Sequence, residues 1–66
     1  MENDDFLFTE EEWAAFVKKS KSWARLLRYQ GRSPAFIRVG NAVMYRRQDI
    51  AAWMNERRIL PGGRAA

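Results

Sequence analysis

The sequence predicts a small α+β fold in which two helices, a two-stranded hairpin and a third helix follow one another. Three observations predict it. Apolar residues recur at helical spacing in three stretches: Trp13, Phe16 and Val17; Trp23, Ala24, Leu26 and Leu27; Ile50, Trp53 and Met54. Two β-prone runs flank the pair Gly40-Asn41. Finally, 66 residues with no Cys and no His allow one domain, with no disulfide and no ordinary structural zinc site to hold it. The core must come from three Trp, four Phe, two Tyr and the aliphatics. Burying one large apolar side chain is worth roughly 1.5–3 kcal/mol, so a few anchors suffice for a fold of modest stability.

Residues 1–5 are polar and read as a flexible N-terminus, residues 6–59 as the domain and residues 60–66 as a flexible tail. Phe6-Leu7-Phe8 is short and apolar. Thr9-Glu10-Glu11-Glu12 then reads as a helix start, with Thr9 capping and Glu12 returning the bond three residues on. The three glutamates sit at the positive end of the helix dipole. This places a first helix at about residues 10–18. Lys18-Lys19-Ser20-Lys21 breaks the apolar pattern, and Ser20 is the expected cap of a second helix over about residues 21–30, closed by Gly31. A gap of only two or three residues between the helices fits a helix-turn-helix, although the turn lacks the glycine often found there.

Gly31-Arg32-Ser33-Pro34 reads as a loop. Phe36-Ile37-Arg38-Val39 and Ala42-Val43-Met44-Tyr45 form the expected hairpin across Gly40-Asn41, a turn with glycine first. In that register Val39 opposes Ala42, Ile37 opposes Met44 and Phe36 opposes Tyr45. Both faces carry apolar residues, so the buried face stays open. A third helix is expected from Arg47 or Gln48 to Arg58, with Arg57 and Arg58 matching the dipole at its end. Helix-turn-helix followed by a two-stranded ribbon is the plan of a winged helix-turn-helix.

Charge points to the partner. Lys and Arg number 12 against 8 Asp and Glu, a net +4. Six of the eight acids lie in the first twelve residues; from Lys18 to Arg64 twelve cations face only Asp49 and Glu56, a local +10. Such a field attracts polyanions. No stretch approaches the ~20 apolar residues of a membrane span, and the acidic start is unlike a secretory signal. The expected location is the cytosol. Consecutive carboxylates on a helix do not converge on one substrate, and His, Cys and a Gly-rich phosphate loop are lacking, so no enzyme, cofactor or metal is expected.

The second helix is the strongest site candidate. At about 100° per residue, Lys21, Arg25 and Arg28 gather on one side with Ser22 and Tyr29, while Trp23, Ala24, Leu26 and Leu27 gather on the other. An apolar back and a cationic front suit a helix lying on a domain and entering the major groove. Arg25 and Arg28 are expected at base edges or phosphates, and Lys21 and Ser22 near the helix start at base edges or backbone. Tyr29 would touch backbone or pack, and Lys19 and Ser20 in the turn complete the set. On the wing, Arg38 and Asn41 are expected at the minor groove or backbone, unless Arg38 pairs with Asp49 or the acidic N-terminus. Arg46 and Arg47 are candidate phosphate contacts. Single-strand stacking on the aromatics is less supported, because helical spacing already accounts for them as core.

The run Thr9-Glu10-Glu11-Glu12, then Ser20, Gly31, Pro34, Arg38-Val39-Gly40, Val43-Met44-Tyr45-Arg46 and Asp49-Ile50-Ala51-Ala52-Trp53 resembles the small winged-helix proteins of the excisionase and AlpA-type group, relatives of the MerR DNA-binding domain. The resemblance covers roughly residues 6–58. It implies a binder of double-stranded DNA encoded by a prophage or other mobile element. The implied role is a recombination directionality factor acting architecturally beside a site-specific integrase, with cooperative self-association on DNA. AlpA-like transcriptional regulation is the alternative. The chain departs from the group's pattern where Lys18-Lys19 replaces the usual Gly-Val, where Trp23 stands at a small hydroxyl position, and where Arg25-Leu26 replaces a Tyr-Arg pair. Base preference therefore does not transfer. A rival of another class is a small protein-interaction module gripping its partner through exposed aromatics. Membrane-surface binding is weaker, because the apolar side of the basic helix is needed for the core.

Overall fold

In the computed structural model, residues 6–65 are described. Leu7–Thr9 forms a strand, β1, that leads directly into helix α1, Glu10–Phe16. The expected capping box is present: the Thr9 hydroxyl accepts from the Glu12 amide at 3.0 Å, and the Glu12 carboxylate accepts from the Thr9 amide at 2.9 Å. α1 ends two residues earlier than expected, in a left-handed turn. The Lys19 amide donates to the Ala14 carbonyl and the Lys18 amide to the Ala15 carbonyl, the paired bonds of a Schellman ending. Lys18 takes the left-handed position with φ 63°. Here is the missing glycine of the turn: the backbone adopts the glycine conformation with a lysine in place.

Helix α2, Lys21–Tyr29, starts on Ser20, whose hydroxyl accepts from the Trp23 amide at 3.1 Å. It ends in a second Schellman pair, Arg32 to Leu27 and Gly31 to Arg28, with Gly31 at φ 72°. Strand β2, Ile37–Val39, and strand β3, Ala42–Arg46, pair antiparallel in the register expected: Ile37 with Met44, Arg38 with Val43, Val39 with Ala42. Gly40 supplies the positive φ of 61° that a tight hairpin needs at its first turn position. Phe36 lies just outside the ladder, its ring 6.1 Å from that of Tyr45.

β3 is the centre of the sheet. On its other edge it pairs with β1, Leu7 opposite Arg46 and Phe8 opposite Tyr45, so the order is β1-β3-β2. The apolar run Phe6-Leu7-Phe8 is thus a third strand in part. Helix α3 covers Arg47–Glu56 and follows β3 with no loop; the Arg47 amide donates to the Phe6 carbonyl at 3.1 Å. Of the segment 60–66, expected as a tail, residues 60–65 are described. Ile59–Leu60 (β4) and Arg64–Ala65 (β5) close a short second ribbon across Pro61-Gly62-Gly63. The expected flexible segment 1–5 lies outside the described residues.

Trp13, Ala14, Ala24, Leu27, Tyr45 and Ile50 form the core, one contribution from each of α3 and β3 and two from each of α1 and α2. Trp13 is fully enclosed and touches the rings of Trp23, Tyr45 and Trp53 at 5.6, 4.8 and 5.3 Å. Trp23 and Trp53 are half-buried around it. The hairpin question is settled on β3, where Tyr45 is fully buried and Val43, on the same face, packs against the core, while Ala42 on the other face is exposed. A three-helix core with a β3-centred sheet is an α+β winged helix-turn-helix.

Candidate nucleic-acid interface

α2 docks through Ala24 and Leu27, which are buried, and through half-buried Trp23. Its opposite side carries Lys21, Ser22, Arg25 and Tyr29, all exposed. The Arg25 guanidinium lies 6.0 Å from the Tyr29 ring centre. A groove of about 440 Å³ separates this side of α2 from the wing, and Lys21, Arg25 and Asn41 stand along it. Helix and wing therefore present one continuous surface, and the Lys21, Arg25 and Asn41 expectations meet in one place.

Two expectations on α2 are corrected. Arg28 does not belong to the free cationic face. Its Nε donates to Glu10 Oε2 at 2.7 Å and its Nη2 to Glu10 Oε1 at 3.3 Å, with the two side chains only 12% and 10% exposed. The helix wheel explains it: Arg28 lies roughly 40° from buried Ala24, at the edge of the docked side. Leu26 is not part of the apolar back either; it is 51% exposed. It lies roughly 40° from Ser22 and roughly 100° from Leu27, so it joins the outward surface beside Ser22.

The Glu10 carboxylate has a second donor. The Tyr45 hydroxyl reaches Oε2 at 2.9 Å in a buried bond. Burial by itself would raise the Glu10 pKa, but the hydrogen bonds from Arg28 and Tyr45 and the charges of Arg28 and Arg25 outweigh it and hold the carboxyl below its ordinary value. Burial and the neighbouring carboxylate push the Tyr45 phenol up, so it stays a neutral donor. The hydrogen bond to Glu10 raises the Arg28 pKa. Sequence reasoning placed Glu10 only at the helix dipole and missed this triad. The legible signal was an arginine bordering a buried helix face, which needs an acid.

The turn and wing candidates divide. The Ser20 hydroxyl oxygen accepts the capping bond, and its O–H remains a donor for an outside acceptor. Lys19 is exposed, its ammonium 5.6 Å from the centre of the Trp23 ring. Arg38 is exposed in the middle of β2, and among the described residues it pairs neither with Asp49 nor with any other acid. Arg46 is half-buried at the end of β3. Arg47 is exposed, but it borders an apolar hollow with Phe8, Phe16, Ile50 and Met54 and does not line the α2–wing groove. At the far end of the domain, the Arg32 carbonyl accepts from Trp53 Nε1 at 2.8 Å and from Arg57 Nη2 at 3.2 Å, which ties α3 to the loop after α2.

Among the described residues, no helix is long and apolar enough to cross a membrane. No curated protein and no solved structure matches the chain. A family model described as a helix-turn-helix domain, the excisionase and AlpA-type family, matches residues 7–58, the stretch that runs from β1 through α3. With its fold, its cationic helix face and this match over most of its length, the chain belongs to that family of DNA-binding helix-turn-helix domains.

Proposed function

We propose that this protein binds duplex DNA sequence-specifically as the directionality factor of a prophage or similar element, working architecturally beside an integrase. The observation that carries the reading is the α2–wing groove, where Lys21, Arg25 and Asn41 stand together on one exposed surface. α2 enters the major groove with Lys21, Ser22, Arg25 and Tyr29 outward. Arginine in that position pairs bidentately with guanine, and the serine and lysine at the helix start meet base edges or phosphate. Arg38 and Asn41 follow the adjacent backbone or minor groove, and Lys19 and Ser20 meet phosphate before the helix. The role is binding without catalysis, in the bacterial cytoplasm.

One module of this size covers a limited footprint, so useful affinity comes from several copies on neighbouring sites. That requirement fits a factor that bends or coats an attachment site. It fits a regulator at a tandem operator equally well, and AlpA-like regulation is the second reading. Footprinting on DNA flanking the native gene separates them: protection at an attachment site is expected, and protection confined to a promoter transfers the assignment to regulation. Arg25→Ala is expected to weaken duplex binding by 10-fold or more while the protein stays folded by circular dichroism. An unchanged Kd removes α2 from the interface. A Kd insensitive to salt would point instead to a protein partner gripped through the aromatics.

A further inference from the structure

Glu10, Arg28 and Tyr45 come from three elements: the first residue of α1, the last turn of α2 and the central strand β3. They converge on one carboxylate, with donor–acceptor distances of 2.7, 3.3 and 2.9 Å. This is the arrangement in which a guanidinium grips a phosphate, except that the oxygens belong to the protein. Glu10 and Arg28 also border the groove that holds Lys21, Arg25 and Asn41. Arg28 is therefore close enough to DNA to matter and is already engaged. Its ring neighbours hold it further: the guanidinium lies 5.0 Å from the Tyr29 ring centre and 5.8 Å from that of Phe36.

We propose that Glu10 is a positioning residue for DNA recognition: its carboxylate holds Arg28 against Tyr45 and away from phosphate, fixes α2 to the wing strand, and leaves base readout to Lys21, Ser22, Arg25 and Tyr29. The proposal rests on the DNA-binding reading above. A long arginine free to swing toward any phosphate adds affinity for every sequence equally. Held by Glu10, it adds none, and α2 keeps one orientation relative to the wing. Glu10 thus lowers non-specific affinity and raises the preference for the right site.

The test uses the full chain and two duplexes, one selected by the wild-type protein from a randomised pool and one scrambled, each titrated at several salt concentrations. Glu10→Gln is expected to tighten binding to the scrambled duplex several-fold, to steepen its log Kd against log salt slope by about one unit, the effect of one extra phosphate contact, and to cut the preference for the selected duplex about 10-fold. Adding Arg28→Met to Glu10→Gln is expected to return the slope to the wild-type value, because the released cation is gone. A merely structural role would lower the melting temperature without moving the slope. Unchanged slope and preference in a folded Glu10→Gln protein overturn the proposal while leaving the DNA-binding reading intact. Wild-type protein that enriches no duplex from the pool and binds no scrambled one overturns both. Should Glu10→Gln fail to fold, the Arg28 Nε–H resonance of the wild-type protein decides. Protection from exchange and no shift on adding duplex are expected, with the Arg25 signal moving. An Arg28 signal that shifts as much as Arg25's overturns it.

Discussion

Lys18 holds a backbone conformation that costs a side-chain-bearing residue roughly 1–2 kcal/mol, partly offset in a glycine by its greater loss of chain freedom. Lys18→Gly is expected to raise stability by about 0.5–1 kcal/mol, read from the urea midpoint at unchanged m-value. A fall in the midpoint would mean the lysine side chain contributes more than its backbone strain costs. Glu10 gives a pH signature. Its folded-state pKa lies below the ordinary 4.5, so its pairing stabilises the fold above that value and is lost as pH falls from about 4.5 through the native pKa. Thermal melting followed from pH 7 to pH 3 is expected to drop more steeply in the wild type than in Glu10→Gln; parallel curves would show that the triad adds no stability. Much of the exposed face of α2 was legible residue by residue, because Ser22 and Arg25 turn away from Ala24 and Leu27 and Lys21 lies just beyond the edge of the docked side, roughly 60° from Ala24. Arg28 and Leu26 were misassigned because they sit at the two margins of the docked side, where residue type decides less than the neighbour each one meets.

The elements were legible where the signal was local. Thr9 with Glu12, Ser20, Gly31 and Gly40 each fix a boundary through a bond or a φ of their own, and the structure keeps all of them. Thr9→Ala removes the cap of a helix of only 7 residues and is expected to cost about 1 kcal/mol in denaturant unfolding; no change would mean α1 is held by Trp13 alone. β1 was not legible as a strand. Three residues are too few for an alternation pattern, and its pairing with β3 joins positions more than thirty-five residues apart, Phe8 with Tyr45. The second ribbon escaped for a similar reason: each strand has two residues, and Pro61-Gly62-Gly63 reads equally well as a chain end.

For the whole molecule, the charge segregation written in the chain acquires a location. The acids of the first twelve residues are not simply remote from the cations: Glu10 is folded into the cationic side and neutralises one arginine there, while Lys21, Arg25 and Arg38 stay exposed. Binding through about four phosphate contacts is expected to weaken roughly 10²-fold when salt rises fourfold, measured by fluorescence anisotropy with a labelled duplex. A much flatter dependence would argue that the groove between α2 and the wing is not the contact surface. Among the described residues the core cluster is small, Trp13, Ala14, Ala24, Leu27, Tyr45 and Ile50, so the fold tolerates few losses. Trp13→Ala removes the side chain on which both other tryptophans lean and is expected to cost about 3–5 kcal/mol, enough to unfold a domain of this size by near-ultraviolet circular dichroism.

The three indoles stand within 5.3–6.5 Å of one another, one belonging to each helix. Chromophores that close share their excited states, so the intact protein carries an optical signature belonging to the trio rather than to any single ring. Trp23 belongs to the helix proposed to face DNA and lies under Lys19 of the turn, so docking of a duplex there is expected to perturb one member and, through it, the others. The unlabelled molecule thus contains its own built-in reporter of helix arrangement, expected to respond as well when a duplex occupies the outward side of α2.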